Sequence, residues 1–327
     1  MIKKILLFIF VILLVLVVFF FIGQPKEAEN IVWGVNFSQK QSRDLGLDWQ
    51  ENYLALLDDL GVRQVKLAAH WDLLEPKEGQ YNFADLDWQI EKATERGASV
   101  LLVVGLKTPR WPECHFPEWA KDLEMIDQQQ KILDMLSAIV ARYNDSPVIW
   151  AWQVENEPFF PFGECTWTDK DFLQAEISLV KSLDEFNRPV LISDSGEGSF
   201  WLEAARFGDI VGTTLYRKVW VHQFKFYLNY YFPPVFYARK AQIIKQFFGK
   251  EVIGVELQAE PWGPNLLAYS PREEQVKTMN PKQLAQNIEF AKKTGFGKFY
   301  LWGAEWWYWL KEKQGEPEIW QMVKELF

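Results

Sequence analysis

The feature that most constrains the fold is an alternation of short apolar runs with longer amphipathic stretches, from about residue 31 to the C-terminus. Runs of about 5–7 residues that are apolar on both faces are typical of strands in a buried parallel sheet. The predicted strands are residues 31–37, 63–69, 99–104, 147–154, 189–193, 210–215, 252–256 and 298–302. Eight such units in one composition regime predict an α/β fold, a single (β/α)8 TIM barrel.

Helix start signals between the predicted strands support this organisation. Asp48 followed by Glu51 has the spacing of a capping box, and Asn280 followed by Pro281 is a typical helix start. A doubly wound open sheet is the alternative arrangement of such units. The glycine-rich phosphate loop that follows its first strand is absent from this sequence, which favours the barrel.

The first 23 residues are predicted to lie outside the barrel. Lys3 and Lys4 precede an apolar run of 19 residues, from Ile5 to Gly23. In a helix that run would extend roughly 28 Å, enough to cross the hydrocarbon core of a bilayer. A cleaved signal peptide is the alternative, but its apolar core is shorter, about 7–15 residues, and ends at small residues.

We therefore expect a transmembrane anchor over residues 1–23, a short linker over 24–30 and one folded domain over 31–327. Lysines precede the apolar run and acidic residues follow it closely. This arrangement predicts a single-pass membrane protein whose folded domain lies outside the cytoplasm.

Charge and cysteine content exclude several classes of function. A net charge of −9 with no basic stripe argues against a nucleic-acid partner. The two cysteines, Cys114 and Cys165, lack the spacing of a zinc site, and we expect no metal and no other cofactor. Outside the cytoplasm such a pair is a disulfide candidate. The two cysteines lie in the loops after strands three and four, which are neighbours in a barrel.

Two glutamates stand at the ends of predicted strands, where barrel enzymes place their chemistry. Glu157 belongs to an Asn-Glu-Pro triplet after strand four, and Glu256 ends strand seven. A buried carboxylate is costly unless it is paired, so stability alone does not predict glutamate there. Two carboxyl groups flanking one glycosidic bond are what glycoside hydrolysis requires. Glu260, in the turn after strand seven, is the alternative to Glu256.

The chain resembles clan A glycoside hydrolases, the (β/α)8 superfamily that includes cellulases, β-galactosidases, xylanases and β-mannanases. The resemblance covers roughly residue 31 to the C-terminus. It rests on Asn156-Glu157, on Glu256, on residues 71–83 (WDLLEPKEGQYNF) after strand two, and on Thr108-Pro109-Arg110-Trp111 after strand three. It implies a retaining β-glycoside hydrolase in which Glu157 is the acid/base and Glu256 the nucleophile.

The resemblance also implies substrate-binding residues around the pair. Asn156 would hold the sugar 2-hydroxyl, Tyr216 would donate a hydrogen bond to the nucleophile, and the Trp302 indole would stack on the sugar. His70 and Trp111, in the loops after strands two and three, would contact the substrate. For Tyr216, Trp302 and His70, a structural role in packing or hydrogen bonding is the alternative.

Two features depart from the resemblance. Many clan members carry an arginine on strand two near the nucleophile, whereas the candidates here are Lys66 and Arg63. In addition, residues 217–236 form an aromatic-rich insertion after strand six. This insertion would either line an extended groove or rest at a bilayer interface, where Tyr and Trp concentrate.

The predicted activity is hydrolysis of a β-linked glycoside, oligosaccharide or polysaccharide by a membrane-tethered enzyme. A transglycosylase that uses the same covalent intermediate is one alternative, and a non-catalytic glycan-binding barrel is another. A binding protein has no need of two opposed carboxylates, whose mutual repulsion must be compensated. Product analysis with and without an acceptor sugar distinguishes the three.

Overall fold

The computed structural model describes residues 2–165 and 167–327. Its strands are β1 (Val32–Asn36), β2 (Gln64–Ala68), β3 (Ser99–Val104), β4 (Ile149–Val154), β5 (Val190–Asp194), β6 (Ile210–Leu215), β7 (Lys218–Val221), β8 (Phe226–Asn229), β9 (Glu251–Gln258) and β10 (Lys298–Trp302). Eight of them, all except β7 and β8, form a closed parallel barrel in chain order, and β10 pairs with β1. The predicted (β/α)8 barrel is confirmed.

Helices connect the strands and cover the outside of the barrel. They are α1 (Ile2–Phe21), α2 (Gln39–Asp44), α3 (Trp49–Asp58), α4 (Trp71–Leu74), α5 (Ala84–Glu95), α6 (Met125–Tyr143), α7 (Lys170–Leu183), α8 (Leu202–Phe207), α9 (Pro234–Phe248), α10 (Arg272–Gln275), α11 (Pro281–Lys293), α12 (Ala304–Trp309) and α13 (Glu318–Lys324). The caps of α3 and α11 are those predicted: the Asp48 side chain accepts from the N–H of Glu51, and the Asn280 side chain from that of Gln283.

The core has two parts, as the alternation of side chains along barrel strands requires. A small apolar cluster fills the inside of the barrel: Leu101, Ala151, Leu191, Ile253, Val255 and Tyr300. A much larger cluster lies between the strands and the surrounding helices. Because the inside of the barrel is packed, polar side chains that converge on its axis have room only beyond the carboxyl ends of the strands.

The aromatic insertion after β6 forms an antiparallel hairpin of β7 and β8. The N–H groups of Arg217 and Lys218 both donate to the side-chain oxygen of Gln258, which ends β9. These bonds fasten the hairpin to the carboxyl end of the barrel, at the rim of its mouth.

The N-terminal helix α1 is long and apolar enough over Lys3–Phe21 to cross a membrane, and this stretch is not buried against the barrel. After α1 the chain runs down the flank of the barrel towards its base. The N–H of Ala28 donates to the carbonyl of Lys292, at the end of α11, and the N–H of Val32 to that of Gly297. The start of β1 therefore lies at the base of the barrel.

A disulfide joins Cys114 and Cys165, which confirms the predicted pairing. It connects the loop after β3 with the loop after β4 at the mouth of the barrel.

Removing the disulfide in a Cys114→Ser/Cys165→Ser variant is expected to lower the free energy of unfolding by about 4 kcal/mol, because the cross-link restricts the unfolded chain over a long loop. The two cysteines are 51 residues apart in sequence. Denaturant unfolding of the oxidised protein and of the variant, in the same detergent, measures the difference. Wild-type protein reduced before unfolding is the control and should match the variant. Equal stability of the oxidised protein and the variant would contradict the expectation.

Candidate active site

The residues after β4 are held in an unusual backbone conformation. Glu155 and Glu157 have positive φ angles of 59° and 43°, a region that costs about 1–3 kcal/mol for a non-glycine residue and recurs at functional sites. Both neighbouring strands contribute to holding it. The N–H of Glu155 donates to the Val104 carbonyl at 2.9 Å, and the N–H of Glu157 donates to the Ser193 hydroxyl at 2.8 Å.

The side chain of Glu155 stabilises this turn by hydrogen bonding to the loop after β3. Its carboxyl accepts from the N–H groups of Leu106 and Lys107, at 2.7 and 2.6 Å. It also lies against the buried carboxyl of Glu176, and burial raises the pKa of both groups. Gly105 makes room for it, since a Cβ there would lie 2.3 Å from a Glu155 carboxyl oxygen. Glu155 is therefore a structural carboxyl, and Glu157 is the one that reaches the mouth.

Glu157 lies in an environment that favours its protonated form. Its side chain is buried, and one carboxyl oxygen accepts from the Thr214 hydroxyl at 3.2 Å. Burial, followed by the charges of Glu256 and Glu113, raises the pKa of Glu157 well above its ordinary value. A glutamic acid that keeps its proton near neutral pH has the property that a general acid needs.

Glu256 lies in a different environment, between two hydrogen-bond donors. The Tyr216 hydroxyl donates to one of its carboxyl oxygens at 2.9 Å, and the Lys66 ammonium group donates to the other at 3.2 Å. A cation and a hydroxyl donor therefore both contact the carboxyl group of Glu256. Of the two cations considered on strand two, Lys66 is the one beside Glu256, whereas Arg63 donates to main-chain carbonyls of Leu57 and Val62.

Tyr216 keeps its proton in this position. Burial, and then the charge of Glu256, raises the pKa of the Tyr216 hydroxyl well above its ordinary value. The hydroxyl is therefore a donor to Glu256 over the whole neutral range.

The two glutamates belong to one site. Thr214 is the register partner of Glu256 in the pairing of β6 with β9, and the hydroxyl of the same Thr214 donates to Glu157. Both carboxyl groups therefore lie at the carboxyl end of the barrel, on either side of one residue.

Glu260, the alternative to Glu256, is committed to a buried ion-pair network. Its carboxyl accepts from Arg110 at 2.5 Å and from the Trp302 indole N–H at 2.8 Å. Arg110 also donates to the fully buried Glu305, at 2.6 Å. Burial alone would lower the pKa of Arg110, but the two carboxylates raise it above its ordinary value. Sequence reasoning missed this network.

Trp302 lies at the mouth, as its position at the end of β10 predicts, but one of its faces is occupied. The guanidinium carbon of Arg110 lies 4.0 Å from the centroid of its ring, within the range of a cation–π contact. Any sugar that stacks on this indole would use the other face or the ring edge.

His70 and Trp111 lie in contrasting surroundings. His70 is buried, its Nδ1 lies 2.8 Å from the Thr108 hydroxyl, and its ring packs on that of His115. Burial, and then the nearby His115, lowers the pKa of His70 well below its ordinary value. These contacts favour the structural alternative for His70. Trp111 is 46% exposed at the rim, where its ring meets Phe162.

Asn156 brings a third carboxyl into the site that the sequence did not reveal. Its amide nitrogen donates to Glu113 at 3.0 Å, while its amide oxygen accepts from the Gln153 side chain at 3.2 Å. Glu113 is buried, and this burial raises its pKa to about 8. The one available signal was the neighbouring Cys114, whose predicted disulfide brings this loop next to the loop after β4.

Aromatic rings that follow four strands, β3, β4, β6 and β9, meet at the rim of the mouth and form an aromatic rim. Trp262, in the loop after β9, contacts Phe162 at 5.6 Å and Tyr216 at 5.1 Å between ring centroids. Phe162 in turn contacts Trp111 at 5.9 Å. Because Tyr216 also donates to Glu256, this aromatic rim adjoins the carboxylate pair. Such rings suit the apolar faces of sugars.

Residues 47–129 match the model of the glycoside hydrolase 42 family, described as β-galactosidase. An endo-1,4-β-xylanase 3 of Hypocrea jecorina is 27% identical over 188 residues, or 55% of this chain and 50% of the xylanase. The β-galactosidase BgaA of Clostridium cellulovorans is 26% identical over 175 residues, or 47% of this chain and 26% of that enzyme. The chain thus spans half or less of the length of these relatives.

Solved structures share the barrel. A GH5_18 enzyme of Streptomyces cattleya in complex with GlcNAc superposes with a TM-score of 0.59 at 15% identity, covering 84% of this chain and 71% of its own. A family 10 endo-β-1,4-xylanase of Gloeophyllum trabeum superposes with a TM-score of 0.57 at 16% identity, covering 84% and 85%. At these identities the likeness concerns the fold. Together with the sequence matches, it confirms the resemblance to clan A glycoside hydrolases.

Proposed function

We propose that this chain, which resembles the clan A glycoside hydrolases in sequence and fold, hydrolyses β-linked glycosides with retention of configuration. The observation that carries the proposal is the contrast between the two glutamates. Glu157 is buried with its proton favoured, whereas Glu256 accepts hydrogen bonds from a lysine and a tyrosine. Pairs of carboxyls whose environments differ in this way divide acid and nucleophile roles between them.

In the first step the Glu256 carboxylate attacks the anomeric carbon and forms a covalent bond to it. The bond from that carbon to the leaving oxygen breaks, and the Glu157 proton passes to this oxygen. In the second step Glu157, now ionised, takes a proton from water. The water oxygen bonds to the anomeric carbon, and Glu256 leaves as a carboxylate. Each residue returns to its starting state, so the cycle needs only water and the glycoside.

The residues around the pair have matching tasks. Tyr216 and Lys66 would hold the Glu256 carboxylate in place before attack and stabilise its charge when it leaves. Asn156, oriented by its contacts with Glu113 and Gln153, would place its amide against the sugar 2-hydroxyl. Trp111 and the other rings of the aromatic rim would contact the apolar faces of the substrate.

A panel of aryl β-glycosides tests the proposal. The relatives are named for β-galactosides and β-1,4-xylans, so aryl β-galactoside, β-xyloside and xylobioside come first. NMR of the first product anomer should show the β configuration. A first product with the α configuration would contradict the retaining mechanism, but it would still be compatible with Glu157 and Glu256 as the catalytic carboxyl groups. Sugar transfer to an added acceptor, at the expense of hydrolysis, would indicate a transglycosylase, and binding without turnover a non-catalytic protein.

We propose further that α1 is retained as a membrane anchor and that the barrel lies outside the cytoplasm. Mass spectrometry of the protein purified from membranes should find peptides from residues 1–23, and protease added to intact cells or spheroplasts should digest the barrel. A mature N-terminus beyond residue 23 would show that the segment is a cleaved signal peptide. Protection of the barrel from protease in intact cells, with digestion after lysis, would place it in the cytoplasm.

Replacing Glu113 is expected to change the pH dependence of the reaction. Glu113 has a pKa of about 8, and once ionised its charge is one of the causes that raise the pKa of Glu157. Removal of that charge in Glu113→Gln should lower the pKa of Glu157 in the alkaline range. Since the acid must be protonated, the alkaline limb of the kcat/KM profile should move to lower pH. Glu164→Gln, which removes an exposed carboxyl from the loop after β4, is the control. A Glu113→Gln profile that is unchanged, or shifted to higher pH, would contradict the assignment.

A further inference from the structure

The hairpin of β7 and β8 exposes aromatic side chains that the proposed mechanism does not use. Phe224 is 75% exposed, Phe226 45% and Tyr231 84%, and Phe200 in the loop after β5 is 53% exposed. Scattered exposed apolar residues are common on soluble domains, but several on one rim mark a contact surface. We call these four residues the rim patch.

The rim patch adjoins the end of the apolar helix α1. The Phe20 ring lies 5.7 Å from Phe200 and 5.8 Å from Phe236, and the Phe21 ring lies 5.7 Å from Phe236 and 6.2 Å from Phe232. Phe232 follows the hairpin, and Phe236 lies in the first turn of α9. The point where α1 meets the barrel is therefore at the mouth.

A row of stacked rings connects this point with the catalytic glutamates. Phe236 stacks on Phe232 at 4.5 Å, and Phe232 stacks on Tyr230 at 6.4 Å. Burial, and then the charges of Glu197 and Glu157, raises the pKa of the Tyr230 hydroxyl. Only a few rings separate the end of α1 from the site.

The route of the linker gives the same orientation. Because residues 22–31 descend the flank to the base before β1 begins, the helix joins the rest of the chain at the mouth end of the barrel. A bilayer crossed by α1 therefore has its surface at the level of the mouth.

We propose that the rim patch rests in the interfacial layer of the bilayer, so that the mouth opens at the membrane surface onto glycans presented there, such as the head groups of glycolipids. The inference rests on the proposed retention of α1 as an anchor, and it deepens the proposed glycosidase function. Aromatic side chains favour the interfacial layer, where part of the ring is dehydrated. The hairpin also carries Lys218 and Lys225 near the patch, and cations at this depth are attracted to anionic head groups.

Site-specific labelling tests the orientation. Both native cysteines are in the disulfide, so a Phe224→Cys variant takes one thiol-reactive NBD fluorophore under non-reducing conditions. Phe247→Cys is the matched control, because Phe247 is 73% exposed near the opposite end of α9, at the base of the barrel. The full chain is reconstituted in nanodiscs with and without head-group nitroxide lipid.

The label at 224 is expected to emit at shorter wavelength and to be quenched several-fold more strongly by the nitroxide than the label at 247. Equal quenching at both positions, or stronger quenching at 247, would overturn the proposal. Failure of the chain to enter nanodiscs would show that α1 is not a membrane anchor, and the proposal, which rests on that anchor, would then be wrong. The measurement involves no turnover, so it fails or succeeds independently of the glycosidase assignment.

A second experiment tests the consequence for the substrate. An aryl β-glycoside that the chain cleaves is compared with the same sugar on a dialkylglycerol in the nanodisc bilayer. A Phe224→Ser/Phe226→Ser/Tyr231→Ser variant should lose several-fold in rate on the lipid-linked glycoside and keep its rate on the soluble one. An equal loss on both substrates, or no loss on either, would refute presentation at the membrane surface. If neither protein cleaves the soluble glycoside, the glycosidase function has failed and the quenching result still stands.

Discussion

Replacing Glu256 with alanine is expected to lower kcat/KM by about 10⁴-fold or more on every β-glycoside that the wild-type enzyme cleaves. The reason is that the variant lacks the carboxylate that we propose forms the covalent bond to the anomeric carbon, and this loss does not depend on how easily the leaving group departs. Steady-state rates on a good and a poor leaving group measure it. Azide entering the space left by the side chain should attack directly and give the α-glycosyl azide, the inverted product.

Glu260→Ala is the matched control for this prediction, since Glu260 is the alternative nucleophile. It pairs with Arg110 and accepts from Trp302, so its loss leaves a buried cation with one carboxylate fewer, and we expect reduced stability in place of azide rescue. Near-normal turnover in Glu256→Ala, together with an azide-rescued Glu260→Ala, would reverse the two assignments.

The sequence predicted those parts of the site that are determined by strand ends. A parallel barrel brings every strand end to one mouth, so glutamates that follow apolar strands are candidates for one site wherever they stand in the chain. This reasoning placed Glu157 and Glu256, 99 residues apart, at the same mouth, and the contact between Tyr216 and Glu256 follows from the adjacency of β6 and β9. The disulfide followed in the same way from neighbouring loops.

Groups whose position depends on loop conformation could not be predicted. Glu113 has a φ of 73° in an irregular loop, and its carboxyl accepts from Asn156. The neighbouring Cys114 indicates only that this loop approaches the loop after β4, not that the Glu113 side chain is buried. Arg110 also has a positive φ, of 88°, and meets Glu260 and Glu305 across 150 and 195 residues. Charged residues in loops are usually solvated, so this burial is visible only once the loops are placed.

The hairpin after β6 was not predicted from the sequence, because its turn lacks the Asn and Gly residues that usually mark hairpin turns. Tight hairpin turns favour Asn or Gly at positions with positive φ. Here Lys225 takes that position, with φ of 53°. The aromatic residues on both sides alternate only weakly in polarity, so the stretch has neither the turn signal nor the period of a half-buried strand.

Replacing Glu157 with alanine is expected to separate substrates by their leaving groups, in contrast to Glu256→Ala. Loss of the general acid should cost about 10²–10⁴-fold on glycosides whose leaving oxygen needs a proton. The cost should be far smaller on dinitrophenyl glycosides, which form the covalent intermediate without protonation. The comparison of kcat/KM on an alkyl or phenyl glycoside with that on a dinitrophenyl glycoside of the same sugar measures the difference.

Two further results are expected for the Glu157→Ala variant. Azide, which needs no base, should intercept the intermediate and give the β-glycosyl azide, because it attacks a carbon already inverted once by Glu256. The alkaline limb of the pH profile should disappear on the dinitrophenyl substrate, since this limb reports loss of the proton that the raised pKa of Glu157 retains.

Glu155→Gln is the matched control, two residues away and also buried, and any loss it causes should be the same for every leaving group. A Glu157→Ala enzyme whose losses are equal on good and poor leaving groups would show that the proton comes from another residue. Glu113, a buried acid of the site with a raised pKa, would then be the one to replace.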